Sequence, residues 1–529
     1  MKKIMTTVSA SLAALLILFV FASCGFGQTS ERTQTDESAE KTAKESVQVD
    51  ETGATVIAWN GSGAHISGAG AAVNGTDVLI QSGGTFTVRG ETTDGRIVVD
   101  AGDADVTLVL DGAQITSRSS SAIYVYSAKQ ATVFAKEGTQ NTLTDGESYT
   151  YTDSYASEAD EEPNACLYSK ADLILAGSGA LTVNGRMNNG ITGNDTLGLA
   201  DLTLTVNAAN NGVTGKDSLT VRNADVTVTA GGDGLRATND KDETLGTVTA
   251  ENAKLTVTAG EDGVQAQTAL SLADTTASVT TGGGSSAQIG ENDSAKGLKA
   301  GTDVTISGGS CTLDCADDAV HADGNVAIRG GKLHAQSGDD AIHAEDKVTV
   351  DDGEIDVTAH EGIEGTRITI NAGKISIKAS DDGINAGQKT SGVTPTVEIN
   401  GGELEIEMGQ GDTDAVDANG DIIINGGTIR ITAQSAFDYD GKGELNGGEV
   451  YVNGEKITEL TNQFGGGMRG GMGGMRGGFS GEMPQGAPGE RPERPTGENM
   501  PEGEFPFGRG NRERAADAPA DQNGAQTAA

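Results

Sequence analysis

Hydrophobic and polar residues alternate in short bursts along most of this chain, and the bursts end at glycine. Val304-Thr-Ile306 runs into Ser-Gly-Gly and is followed by Cys311-Thr-Leu313. Val326-Ala-Ile328 runs into Arg-Gly-Gly and then Leu333, and Ile368-Thr-Ile370 into Asn-Ala-Gly and then Ile375-Ser-Ile377. Ile422-Ile-Ile424, Asn-Gly-Gly and Ile429-Arg-Ile431 repeat the grammar. Period-two alternation rich in β-branched residues predicts short strands with one buried face, and the glycine clusters predict tight turns. No 3.6-residue stripe appears, and the Val/Ile/Thr/Gly composition excludes a helical repeat.

A second, longer period is laid over the first. An acid or Asn, then Gly or Ala, then an aliphatic residue recurs as Asn189-Gly-Ile191, Asn211-Gly-Val213, Asp233-Gly-Leu235 and Asp262-Gly-Val264. It continues after Lys296-Gly-Leu298 as Asp318-Ala-Val320, Asp340-Ala-Ile342, Glu361-Gly-Ile363, Asp382-Gly-Ile384 and Asp414-Ala-Val416. Most central positions lie 21 or 22 residues apart, with longer intervals at 263, 297 and 415. A fixed period of this size signals stacked repeats. Three short strands per 21–22 residues describe one rung of a triangular parallel β-helix. At a rung spacing of about 4.8 Å, some fifteen rungs make a rod of roughly 70 Å. The 78 glycines and the low aromatic content of 4% suit such a solenoid, which buries small aliphatic side chains and turns at glycine or Asn.

The chain divides into four parts. Residues 1–23 read as a signal peptide: Lys2 and Lys3 precede an apolar run from Leu12 to Ala22, too short to span a bilayer. Phe21-Ala-Ser-Cys24-Gly resembles a bacterial lipobox, which implies lipid on Cys24 and anchorage at the extracellular face of the cell membrane. Residues 24–52 read as a flexible tether, 53–460 as the β-helix, and the Gly/Met/Arg- then Pro/Glu-rich residues 461–529 as a disordered tail. Cys166, Cys311 and Cys315 read as small buried hydrophobes, since Cys311 and Cys315 stand about 13 Å apart along one strand, too far for a disulfide.

The formal net charge of −41 excludes nucleic acid as a partner and favours cations and neutral or cation-bridged ligands. The acids concentrate at the motif, as Asp317-Asp318, Asp339-Asp340, His360-Glu361, Asp381-Asp382 and Asp414. In register, those pairs stack about 5 Å apart, which raises their pKa values or requires a counter-ion. Carboxylates with turn carbonyls are hard oxygen donors and suit Ca²⁺. His321, Asp323, His343, Glu345, Asp346, Glu364, Asp417, Asp438 and Asp440 form a second edge. The competing reading is an acidic corner that keeps the rod soluble.

Gly95-Arg-Ile-Val-Val-Asp100, Val106-Thr-Leu-Val-Leu-Asp-Gly-Ala-Gln-Ile-Thr-Ser117, Glu137-Gly-Thr-Gln-Asn-Thr-Leu-Thr-Asp-Gly146, Asn164-Ala-Cys-Leu-Tyr-Ser-Lys-Ala-Asp-Leu173 and Gly177-Ser-Gly-Ala-Leu-Thr-Val-Asn-Gly185 occur in that order. With the later Asp-Gly-Ile motifs they resemble the carbohydrate-binding domain family of clostridial surface lipoproteins, over about residues 55–455. The resemblance implies a right-handed parallel β-helix similar to pectate lyases, with bound calcium and affinity for polysaccharides such as cellulose or polygalacturonate. Where many family members have Ala-Ile-Tyr-Ser-Lys-Asp-Asp-Leu, this chain has Ala171 before Asp172, without the first acid.

A lyase would need Arg or Lys beside calcium, and Arg236, Lys299, Arg329 and Arg367 form no recognisable constellation. A non-catalytic, monomeric polysaccharide binder is the better expectation. The alternatives are a pectate-lyase-like enzyme and an adhesive rod that binds no glycan. With a single Trp, Trp59, a flat aromatic platform is not expected; Tyr149, Tyr151 and Tyr155, on an insertion at about 145–163, are the candidates for stacking on sugars.

Overall fold

In the computed structural model the described residues are 46–462, apart from 62, 291, 411 and 412. The proposed signal peptide, Cys24, most of the tether and nearly all of the tail therefore lie outside them. The chain divides after Gly470, and the second unit, Gly471–Ala529, is likewise outside the described residues.

All regular secondary structure among the described residues is β. The strands pair in parallel, each typically with the strand three places on in sequence. One ladder joins the motif strands: Ile191 pairs with Val213, Val213 with Leu235, Leu235 with Val264 and Val264 with Leu298. It continues through Val320, Ile342, Ile363, Ile384, Val416 and Phe437. The long intervals at 263, 297 and 415 leave this register intact, because the extra residues form turns such as 238–246 and 282–297 between strands.

Alternation decides what is buried. The strand Lys254–Ala259 alternates exposed and buried residues throughout, and its inward Leu255 and Val257 stack on Ala277 and Val279 in the next layer. The same column holds Cys311 and Leu313, then Leu333 and Ala335. Fully burying each such aliphatic side chain contributes roughly 1.5–3 kcal/mol. Cys166, Cys311 and Cys315 are buried thiols, and burial pushes Cys311 and Cys315 up to about 12, so they behave as small hydrophobes. Trp59 is buried in the first layers.

Antiparallel hairpins close the ladders at both ends. Thr55–Gly61 pairs with Ala64–Ser67, and Ala71–Asn74 with Asp77–Ile80. At the other end Glu449–Val452 turns through Asn453 and Gly454, both at positive φ, onto Glu455–Ile457. At the turns, Asn371, Asn400, Asn425 and Asn446 form an amide ladder with N–H···O distances of 2.8–3.0 Å. This is one way a parallel stack satisfies the polar groups at its corners.

Candidate cation and glycan site

The motif acid has a structural task before any functional one. One side-chain oxygen of Asn189, Asn211, Asp233, Asp262, Asp318 and Asp382 accepts from the backbone N–H of the equivalent residue one layer on, at 2.9–3.2 Å. Only Asn or Asp has an oxygen at the reach needed to bridge adjacent layers here. The Gly that follows allows close approach: a Cβ on Gly212 would lie 2.3 Å from Val228 and 2.5 Å from the Gly234 carbonyl.

The second carboxylate oxygen faces the column three residues on, and that column changes charge along the chain. In register it reads Arg236, Gln265, Lys299, His321, His343, Glu364, Asn385, Asp417 and Asp438. Its first half supplies cations. Arg236 pairs with Asp233 at 3.0 Å and Lys299 with Asp262 at 2.9 Å. The Lys296 ammonium, buried at a motif position, lies 2.9 Å from Asp317 and 2.7 Å from Asp318. His321 Nδ1 is 2.8 Å from Asp318, and the His321 and His343 rings stack with centroids 4.7 Å apart. His343 Nδ1 lies 2.7 Å from Asp340 and 2.8 Å from Glu364, and Lys389 closes the series at 2.8 Å from Glu364. Burial opposes charging His343, yet the carboxylates of Asp340, Glu345 and Glu364 push it up to about 12. Burial likewise opposes ionising Asp318, but His321 and Lys296 hold its carboxyl well below the usual range.

Among the described residues the second half has less: its one cationic contact is the exposed His360, 4.0 Å from Asp381. Among the described residues, no lysine or arginine forms an ion pair with Glu361, Asp381, Asp382 or Asp417. Burial, reinforced by Glu364, Asp382 and Asp381, raises the Glu361 carboxyl to about 8. Burial with the charges of Asp417, Asp381 and Asp414 raises Asp382 to about 7. Asp417 is raised to about 6 by burial and by Asp438 and Asp414.

The sequence-predicted metal residues thus divide. Asp317, Asp318 and Asp339 come within 4.8 Å of one another, as do His360, Glu361 and Asp381. Asp318 with His321 and His343, and Asp340 with His343 and Glu364, form two further groups. Asp382 and Asp414 are linked by the layer-to-layer hydrogen bond of 3.1 Å. Lys296 and Lys389 were missed as partners. Lys296 had a signal, since it breaks the acidic motif at Lys296-Gly-Leu298, whereas Lys389 lies on an irregular turn and had none.

The tyrosines of the insertion are held rather than free. Tyr149 donates to buried Asp145 at 2.7 Å, and Tyr155 packs edge-on against Tyr126 with centroids 5.1 Å apart. Tyr151 lies 6.3 Å from Tyr149 with its ring tilted by 57°, so these two rings do not form one plane. The insertion is anchored by Asp153, which pairs with Arg96 and accepts from the Tyr155 and Ala156 N–H groups, and by Glu162, which accepts from Tyr168 at 2.7 Å.

The family model described as "Carbohydrate-binding domain-containing protein" matches residues 74–341 and 339–461, nearly all of the described structure. The chain belongs to this family. A carbohydrate-binding domain-containing protein of Acetivibrio thermocellus is 39% identical over 140 residues. That match is 26% of this carbohydrate-binding-domain chain and 48% of the relative, so the chain spans about half the relative's length. A solved structure described as the polysaccharide lyase-like protein from C. thermocellum, a gadolinium derivative, is 29% identical. It aligns with a TM-score of 0.42, over 49% of this chain and 96% of that one.

Proposed function

We propose that this protein is a non-catalytic, calcium-containing polysaccharide-binding lipoprotein, displayed on the extracellular face of the bacterial cell membrane through Cys24. The in-register parallel ladders support winding as a right-handed β-helix. Family membership supports the carbohydrate-binding role. The observation that carries the calcium reading is the charge change along the motif column. Lys296, the two histidines and Lys389 neutralise Asp317, Asp318, Asp340 and Glu364 from within, whereas among the described residues Glu361, Asp382 and Asp417 form no ion pair and Asp381 has only the exposed His360 at 4.0 Å. Two of these carboxyls keep protons near neutral pH, so a hard divalent cation there replaces protons rather than an ammonium. Glu361, Asp381 and Asp382, with Asp414 in the next layer, would hold calcium. Bound calcium would supply charge neutralisation and a bridge to sugar oxygens or uronate carboxylates.

The bases nearest the acidic column support binding over lyase chemistry. Arg236, Lys296, Lys299 and Lys389 each hold a carboxylate within 3.0 Å, which leaves them engaged as local partners rather than poised as bases. The test combines metal analysis with sedimentation on insoluble cellulose and polygalacturonate, with and without EGTA. Calcium in the protein and EGTA-sensitive sedimentation are expected, with Tyr151→Ala weakening the bound fraction. Release of unsaturated uronate product would instead make the protein a lyase. No binding to any polysaccharide would leave an adhesive rod.

A further inference from the structure

Four consecutive strands of one ladder end at the same corner of the fold. They are Gly84–Thr92, Asp105–Thr116, Gln140–Thr144 and Ala180–Gly185, held in register by the pairs Thr92–Ile115, Thr116–Thr144 and Thr144–Asn184. Their ends open a cleft of about 470 Å³ at the root of the tyrosine insertion. Its floor is Asp145 and Gly146. Asp145 is closed on both oxygens, one accepting the Arg186 N–H at 2.5 Å and the other the Tyr149 hydroxyl at 2.7 Å. A Cβ on Gly146 would lie 2.1 Å from the Arg118 carbonyl, so only glycine lets the insertion lie flat on that strand end.

The cleft walls differ from the rest of this acidic molecule. Arg118 and Arg186 both line it, and neither forms an ion pair among the described residues. Arg118 is oriented by its Nε, which donates to the Thr93 carbonyl at 3.2 Å, leaving the terminal guanidinium nitrogens for another acceptor. Four hydroxyl-bearing residues, Thr93, Thr116, Ser117 and Ser148, also line the cleft. Ser117, only 4% exposed, is the most buried of these four. The lining holds two acids as well, but Asp145 is taken up by its own hydrogen bonds, which leaves Glu147 as the exposed acid beside the two arginines.

We propose that this cleft is a glycan subsite in which Arg118 and Arg186 take the carboxylate of an acidic sugar residue directly, with no bridging metal ion. The inference rests on the polysaccharide-binding reading above and adds to it a location and a metal-independent mode. Planar guanidinium groups match a carboxylate with paired hydrogen bonds, and the four hydroxyls suit the ring hydroxyls of neighbouring sugars. The layers are spaced about 4.8 Å apart, close to the rise per unit of an extended hexose chain, so successive sugars meet successive strand ends.

The experiment uses the full chain in EGTA and measures binding of tetragalacturonate and of its methyl ester by calorimetry. The wild type is expected to bind the acid and to bind the ester at least tenfold more weakly. Arg118→Gln/Arg186→Gln should lose tenfold or more for the acid with little change for the ester. Arg186→Gln alone, an exposed residue whose side chain has no partner, checks that the loss does not come from misfolding. If the double variant binds the acid as well as wild type, or EGTA abolishes wild-type binding, the cleft assignment is overturned and calcium-dependent binding stands. If the wild type binds no polysaccharide with or without calcium, the polysaccharide reading itself fails.

Discussion

Replacing Glu361 by Gln should stabilise the calcium-free protein at pH 8 and remove most of its pH dependence. The folded-state carboxyl sits at about 8 against an ordinary 4.5, because burial and neighbouring acids oppose its charge. Folded protein therefore holds a proton that unfolded chain has released, and stability falls as pH rises between those two values. That gap corresponds to roughly 5 kcal/mol at about 1.4 kcal/mol per pH step; partial exposure and shared repulsion with Asp382 reduce it to roughly 2–3 kcal/mol. A stacked-layer protein opens locally, so the suitable assay is hydrogen exchange of the peptides covering 355–420, in EGTA, at pH 5.5 and 8 after correction for intrinsic rates. Wild type should open more readily at pH 8, by about tenfold or more, and calcium should restore protection. Glu361→Gln, which keeps an oxygen for the Asn385 amide now 3.0 Å away, should be protected at both pH values and respond less to calcium. Equal protection of wild type at the two pH values, or a Gln variant no better protected at pH 8, would refute the reasoning.

Three further outcomes follow from the same geometry. Lys296→Met leaves Asp317 and Asp318 without their buried cation and should cost about 3–5 kcal/mol in urea unfolding, part of it recovered by added calcium. Asn211→Ala strands the Asp233 N–H that now donates to Asn211 at 2.9 Å, and should cost about 1–3 kcal/mol by the same measurement. Arg96→Met removes the buried cation that holds Asp77 at 2.9 Å, Ser120 at 2.8 Å and Asp153 of the insertion. Limited proteolysis should then cut within residues 145–163 at a rate at least several-fold above wild type, while the later ladders stay intact.

The sequence by itself determined the strands, their spacing and the inward face, because period-two alternation and a 22-residue repeat are local properties of the chain. It also determined that Cys311 stacks where the next layer has Leu333, and that the acids recur at one corner. It could not separate the acids from one another. Asp318 and Asp382 hold equivalent motif positions, yet one lies against Lys296 and His321 and the other against Asp381, Asp414 and Asp417. Much of that difference belongs to neighbours in adjacent layers, Lys296 22 residues before Asp318 and Asp414 and Asp417 32 and 35 residues after Asp382, which only stacking brings together. The insertion shows the same limit: its tyrosines were legible as aromatic residues in a polar loop, but Arg96, 57 residues earlier, decides that the loop is pinned. The cleft of Arg118 and Arg186 left no motif at all, since it exists only where four strand ends from separate repeats come into register. Periodicity is written in the chain, whereas charge balance and concavity are properties of what the layers set side by side.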